Sequence, residues 1–326
     1  MKAGKLPNDV LKKIILDKLK KTRTDILVRP GIGEDCCAID FGENICLLST
    51  DPITGAVNEI GRLAVHISCN DIASCGVEPL GLLITILAPV DTTVKDIEAI
   101  MDQITHETAS LNVEVIGGHT EITEAVNRCV IVCTAIGKVL KNRMVTTSGA
   151  RPGDDVVMTK SAGLEGTSII AHDKEAYLAE KLGTALVERA KTFIDRISVV
   201  KEGVIAGKYG VNSMHDATEG GILGAVWEIA EASGVGVRIY RERIPIEPET
   251  LEISRLFEID PLKLISSGCM VITCPDGEGL VNELKRNGID ASIIGKVTGC
   301  KDKKLISESH VEDILQPGSD ELYKAI

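Results

Sequence analysis

Aromatic side chains are scarce in this chain of 326 residues: Phe, Tyr and Trp together make up 2 %, so Ile, Val, Leu and Ala must fill any core. No apolar run reaches the length of a membrane-spanning helix, and no continuous apolar stretch with a small-residue cleavage site opens the chain. The expectation is a cytoplasmic protein with no membrane partner. Positive charge is also short. Lys and Arg number 36 against 48 Asp and Glu, a net charge of −12, which argues against a nucleic-acid partner. A local basic patch stands out at Lys12, Lys13, Lys18, Lys20, Lys21 and Arg23, for which a solvated helix face is the plainer account. Neither the Lys-containing phosphate loop nor a G-x-G-x-x-G between strand and helix occurs, so a bound nucleotide must be held without either motif. The ten cysteines include no C-x-x-C pair and lie mostly in apolar segments, as in Ile45-Cys46-Leu47-Leu48. Buried reduced thiols are expected rather than a zinc site.

The length allows two domains, each with its own core. Periodicity predicts helices over 8–20, 58–75 and 93–111, and strands over 45–50, 80–88, 113–116 and 129–139. In the first helix Val10, Leu11, Ile14, Ile15 and Leu19 share a face, with Asn8 or Asp9 as cap. Turn formers cluster at 147–154 and place a boundary there, giving domains 1–148 and 149–326. Beyond it, strands over 155–160, 235–240, 270–274 and 291–298 alternate with mostly helical 184–205 and a helix over 221–233, a mixed α/β unit.

Four acidic stations mark the first half: Gly33-Glu34-Asp35, Ser49-Thr50-Asp51, Asn70-Asp71, and Gly117-Gly118-His119-Thr120-Glu121. Each stands in a glycine-rich turn or at the end of an apolar run. Carboxylates so placed suit a hard cation, since Mg²⁺ takes oxygen ligands and commonly holds phosphates against one or two carboxylates. Asp71 is the most constrained. It follows Ile67 by four residues, which puts a carboxylate near the buried face of its helix, costly without a cation or hydrogen bonds. Taken singly, Asp35 reads equally as part of a surface turn, Asp51 more readily as a strand end with an Asx turn, and His119 equally as a structural histidine. In the second half, Thr218 can cap a helix whose first turn holds Gly220 and Gly221, and free N–H groups there suit an anion. An ordinary capped helix is the alternative. Gly163-Leu164-Glu165-Gly166 is a weaker loop of the same kind.

These stations, together with the run Ala64-Val65-His66-Ile67-Ser68-Cys69-Asn70-Asp71-Ile72-Ala73-Ser74-Cys75-Gly76, resemble the PurM-like ATP-binding superfamily, which includes aminoimidazole ribonucleotide synthase, selenophosphate synthetase, thiamine-monophosphate kinase and HypE. His215-Asp216-Ala217-Thr218-Glu219-Gly220-Gly221 is most similar to the HypE branch. The resemblance implies two α/β domains, a homodimer whose N-terminal strands form a β-barrel with those of the mate, and MgATP between the domains. It implies Asp35, Asp51 and Asp71 as metal or phosphate-site ligands; Glu121, a further carboxylate at the fourth station, is expected to join them on the metal. Asn70, Gly117, Gly118, Asp216, Thr218, Glu219, Gly220 and Gly221 are the implied nucleotide-site residues.

The chain also departs from that branch. Where HypE has Gly-Asp-Thr-Lys this sequence has Gly118-His119-Thr120-Glu121, and Ser267 stands where HypE has a glutamate. HypE ends in Pro-Arg-Ile-Cys, whose thiol carries the reacting group; this sequence ends Tyr323-Lys324-Ala325-Ile326, so self-modification at a terminal cysteine is excluded. The expectation is a Mg-ATP-dependent enzyme that phosphorylates an oxygen of a separate small substrate, with His119 and Glu121 as catalytic acid–base candidates. The alternative is a non-catalytic nucleotide-binding scaffold in metalloenzyme maturation.

Overall fold

The computed structural model describes residues 4–54 and 59–326. The first half runs α1 (Asn8–Ile14), β1 (Ile26–Val28), β2 (Cys37–Phe41), β3 (Asn44–Ile53), α2 (Ile60–Ser74), β4 (Pro79–Ala88), α3 (Val94–Leu111), β5 (Glu114–Ile122) and β6 (Val130–Leu140). Its strands form one open six-stranded sheet in the order β1-β2-β3-β6-β4-β5, antiparallel except for β4–β5. That parallel pair is joined through α3, as a crossover requires. The second half runs β7 (Asp155–Thr159), α4 (Leu164–Asp173), α5 (Glu175–Leu182), α6 (Thr184–Lys191), α7 (Val200–Tyr209), β8 (Ser213–Asp216), α8 (Gly221–Ser233), β9 (Gly236–Tyr240), α9 (Pro248–Leu256), β10 (Met270–Cys274), α10 (Gly277–Arg286), β11 (Ala291–Thr298), β12 (Lys303–Ile306) and β13 (Val311–Asp313). These strands form a seven-stranded sheet in the order β13-β12-β9-β11-β7-β10-β8.

The helix α2 organises the molecule. Every residue from Leu63 to Ser74 is buried, because one side lies on the first sheet and another against α3 and α7. A helix buried on all sides is expected to be apolar throughout, so its Ser68, Asn70 and Asp71 demand partners. The approach of α7 is very close. A Cβ at Gly203 would lie 2.1 Å from the Ala73 carbonyl oxygen, and one at Gly207 would lie 2.6 Å from Gly76 Cα. Asn70 ties the same contact: its Nδ2 donates to the Ile197 carbonyl at 2.8 Å and its Oδ1 accepts from the Val199 N–H at 2.8 Å. From the other side Lys160 Nζ donates to the carbonyls of Arg196 and Ser198. One segment is thus gripped by both halves.

Three expectations change here, and a fourth reaches beyond the described residues. The first helix stops at Ile14 and gives way to a 3₁₀ turn at Leu16–Lys18, with Ile14, Ile15 and Leu19 more than 40 % exposed; the apolar face has nothing to pack on. The helix expected from 58 begins at Ile60 in the described residues, position 58 lying outside them. The strand expected to end at Asp51 continues to Ile53. β2 pairs no further than Leu48, so beyond it β3 is flanked by β6 alone, and Pro52 sits where no second ladder needs its N–H. Gly117-Gly118 is not a turn but the middle of β5, which runs to Ile122. A Cβ at Gly118 would lie 1.9 Å from the Ile84 carbonyl oxygen, so glycine here answers a close strand approach.

Candidate functional site

Three of the four acidic stations, those of Asp35, Asp51 and Asp71, meet where the two halves face each other. Asp51 shares a sheet row with Cys133 and Ile84, both buried under α2, so its side chain points to the helix face. Asp71, on α2, accepts a short hydrogen bond from Ser49 Oγ, two residues before Asp51 on the same face. Asp35 follows the Gly31–Glu34 turn and accepts from Ser74 Oγ at 2.9 Å. From the other half β8 delivers His215 and Asp216. His215 Nδ1 lies 2.8 Å from Asp35 Oδ2 and its Nε2 2.7 Å from Glu228 Oε2 on α8. Asp216 is fully buried, and neither carboxylate oxygen has a hydrogen-bond partner among the described residues.

The electrostatics follow from that packing. Burial, then the neighbouring Asp216, Asp51 and Asp35 carboxylates, pushes the Asp71 carboxyl well above its ordinary range. Burial, then Asp35, raises Asp216 to about 8. Burial alone would pull His215 down, but Asp35 and Glu228 outweigh it and hold the imidazole well above 6.5. Glu228 moves down, because contact with His215 overcomes its burial. Such a cluster is costly when empty. Its donor chemistry fits a hard divalent cation: carboxylate oxygens converge from two domains, and Asp216 has both oxygens free. Ligand atoms of Asp35, His215 and Asp216 lie within 4.8 Å of one another. Both nitrogens of His215 are already engaged by carboxylates, so its role is to hold Asp35 in place, while Asp35 and Asp216 are the ligand candidates.

The remaining predicted residues are placed differently. His119 and Glu121 pair with Thr85 and Leu87, the β4 positions that alternate with buried Ile84 and Ile86. They project from the sheet face opposite Asp51, 3.3 Å from each other and largely exposed, so one chain does not bring them to the cluster. Both functional atoms of Asn70 are engaged by the 197–199 backbone. At the start of α8 the cap is Gly220 rather than Thr218. The Gly220 N–H, read from sequence as an anion seat, donates at 2.7 Å to Asp320 near the C-terminus, and Pro317 packs over Gly220 and Gly224. Glu219 pairs with Lys5 Nζ at 2.9 Å, and the same amine reaches Thr218 Oγ1 at 3.4 Å.

Sequence reasoning assigned no role to His215, Glu228, Ser49 or Asp320. The signal for Glu228 was a carboxylate among the apolar residues of α8, the same signal that singled out Asp71. Asp320 gave none.

Two family models cover most of the chain. The AIR synthase related protein N-terminal domain matches residues 33–139 and its C-terminal domain matches 151–308. The chain belongs to the AIR synthase related, PurM-like family. It is 29 % identical over 308 residues to a Methanocaldococcus jannaschii protein provisionally assigned to hydrogenase expression and formation, covering 90 % of this chain and 88 % of the relative. To the carbamoyl dehydratase HypE of Rhizobium leguminosarum bv. viciae it is 28 % identical, with coverages of 81 % and 77 %. To a thiamine-monophosphate kinase of Pyrococcus horikoshii it is 27 % identical, with coverages of 82 % and 83 %. Among solved structures, a HypE–HypF complex superposes with a TM-score of 0.75 at 23 % identity, covering 94 % of this chain and 99 % of its counterpart. HypE in complex with ATP gives 0.71 at 18 %, covering 99 % and 98 %. These structural likenesses establish the two-domain mixed α/β fold.

Proposed function

We propose that this chain is an ATP-dependent enzyme that takes MgATP at the Asp35, Asp51, Asp71 and Asp216 cluster and phosphorylates an oxygen of a separate small substrate. The observation that carries the reading is Asp216, a fully buried carboxylate with no partner for either oxygen, facing three further aspartates. Mg²⁺ would supply charge neutralisation and a bridge to phosphate oxygens. Burial raises both the Asp71 and Asp216 carboxyls, Asp216 to about 8, so cation binding there is coupled to proton release. His215 orients Asp35 and links it to Glu228. The relatives support nucleotide use: one solved neighbour is HypE with ATP, and a kinase stands among the sequence relatives.

A homodimer belongs to the same reading. All nine residues of β5 are exposed in the single chain, and Leu83, Val115, Ile116 and Ile122 present apolar surface beside them. A second copy closing the open sheet into a barrel would cover this edge and enclose His119 and Glu121, which we assign as acid–base candidates acting in the dimer. Among the described residues no helix is long and apolar enough to cross a membrane, and all ten cysteines are free thiols, in keeping with a reducing cytoplasm. Titration calorimetry tests the nucleotide site. No MgATP binding, or equal binding after EDTA, ends the reading.

One observation favours the scaffold alternative: the cluster of a single chain contains none of the acid–base candidates. That reading predicts MgATP binding without turnover. ADP release that disappears in Asp71→Asn would exclude it.

A further inference from the structure

The basic patch read from sequence as a solvated helix face has a different setting in the fold. A cavity of about 660 Å³ opens between the segment following α1 and the last turns of α8, within the size range of small-molecule sites. Five cationic side chains line it, Lys12, Lys20, Lys21, Arg23 and Arg29, against the two acids Asp17 and Glu231. Glu231 is already paired with Lys303 at 2.9 Å, and Arg23 with Asp25. Lys12, Lys20 and Lys21 have no carboxylate partner among the described residues, in a chain whose net charge is −12. The floor is apolar: Leu16, Leu19, Ile26 and Ile32. Loose lysines beside partly exposed apolar side chains suit a ligand with an anionic group and a hydrocarbon body, whose apolar part would cover Leu16, Leu19, Ile26 and Ile32 while the amines meet its charge.

The cavity adjoins the acidic cluster along two paths. Ile32 lines it, and Asp35, three residues on, reaches His215. Glu231 lines it, and Glu228, less than one helical turn back, holds the other nitrogen of His215. Three helical residues advance about 4.5 Å. A cation-lined chamber and a carboxylate cluster therefore share a wall while demanding opposite charges from what they bind.

We propose that this cavity is a binding site for a small organic anion, a phosphate or carboxylate on an apolar body, separate from the metal cluster. The proposal stands whether or not the cluster takes MgATP. No aromatic side chain lines the cavity to stack on a nucleobase, and the converging aspartates that a Mg²⁺ ion needs lie in the cluster, outside this lining.

Titration calorimetry with phenyl phosphate, benzoate and inorganic phosphate in Mg²⁺-free buffer tests it, with MgATP titrated in a parallel arm. Phenyl phosphate or benzoate should bind, with the one that binds identifying the anionic group. Inorganic phosphate, lacking the apolar body, should bind more weakly than phenyl phosphate. Lys20→Ala combined with Lys21→Ala, both exposed positions, should weaken the organic anion at least about tenfold, and Leu19→Ser should weaken phenyl phosphate while sparing inorganic phosphate. MgATP affinity should stay within about twofold in both variants. Absence of binding by both organic anions overturns the site. So does an equal loss of MgATP affinity in the lysine variant, which would make the cavity part of the nucleotide seat. Failure of wild type to bind MgATP, by contrast, ends the proposed function and leaves this arm to be read by itself.

Discussion

Asp35 and His215 meet across the two halves of the chain, Oδ2 to Nδ1 at 2.8 Å, although 180 residues separate them in sequence. The imidazole is buried and spans two half-buried carboxylates from different elements, whose side chains are 11 % and 16 % exposed. Replacing His215 with Asn removes the cation and leaves the largely covered carboxylates of Asp35 and Glu228 without it. The expected cost is about 3 kcal/mol or more, read as a lower denaturant midpoint. The pH dependence has a definite sign. A histidine whose folded value is raised gives its full contribution below about 6.5 and loses it as pH rises through that higher folded value. Glu228, held down, contributes above 4.5 and loses its share as pH falls through its lowered value. The gap between wild type and His215→Asn should therefore be widest between those limits and close in alkali. A gap that does not change with pH would show that the pair is not ionised.

Asp216→Asn separates stability from metal binding. In the empty protein Asp216 titrates at about 8, above its ordinary 3.8, so folding loses stability as pH rises from the lower value through the higher. The amide cannot ionise and escapes that loss. The variant should melt higher than wild type at pH 8 without metal, and alike at pH 4. Added Mg²⁺ should raise the wild-type melting temperature and leave the variant unmoved, because a ligand stabilises only a state it binds. A variant that still responds to Mg²⁺ would remove Asp216 from the ligand set.

Gly203→Ala tests the contact between the halves. The added methyl would fall 2.1 Å from the Ala73 carbonyl, which belongs to buried backbone and cannot swing aside. Overpacking of this kind costs about 1–3 kcal/mol, and here it also pushes α7 from α2. The Mg²⁺-dependent rise in melting temperature should shrink, since Asp71 rides on one helix and Asp216 follows the other. Gly318→Ala, with nothing within 4 Å, is the control and should be neutral.

What the sequence made legible was whatever depends on neighbours along the chain. β10 and β11 have the bounds that their apolar runs predict, and α8 runs over the predicted span. Asp71 stood out because a carboxylate on a buried helix face is costly wherever that helix packs. β5 was cut short because Gly117-Gly118 reads locally as a turn, whereas pairing with β4 keeps it extended. The first helix was drawn too long because its apolar stripe promised a partner that the fold does not provide. His215 and Asp320 were invisible as site residues for one reason. The groups they bind, Asp35 and the Gly220 N–H, are 180 and 100 residues away, and no local pattern encodes that distance.

Glu165 offers the sharpest pH test, because its value lies near neutrality. It opens α4, is 5 % exposed, and leaves Oε2 without a hydrogen-bond partner among the described residues. Burial raises its carboxyl from 4.5 to about 7, against the opposing pull of Ser267. A carboxyl raised on folding binds its proton more tightly in the native state, so stability is greatest below 4.5, falls as pH climbs to about 7, and is level beyond. The penalty at pH 8 is on the order of 3 kcal/mol. Glu165→Gln keeps the shape and cannot ionise. Its advantage over wild type should be absent near pH 4 and fully developed at pH 8, read from denaturant midpoints at the two pH values. Ser267 Oγ also lacks a hydrogen-bond partner among the described residues, so Ser267→Ala should leave the wild-type pH dependence nearly unchanged. An advantage of Glu165→Gln that is equal at both pH values would mean that the carboxyl is not desolvated in the folded protein.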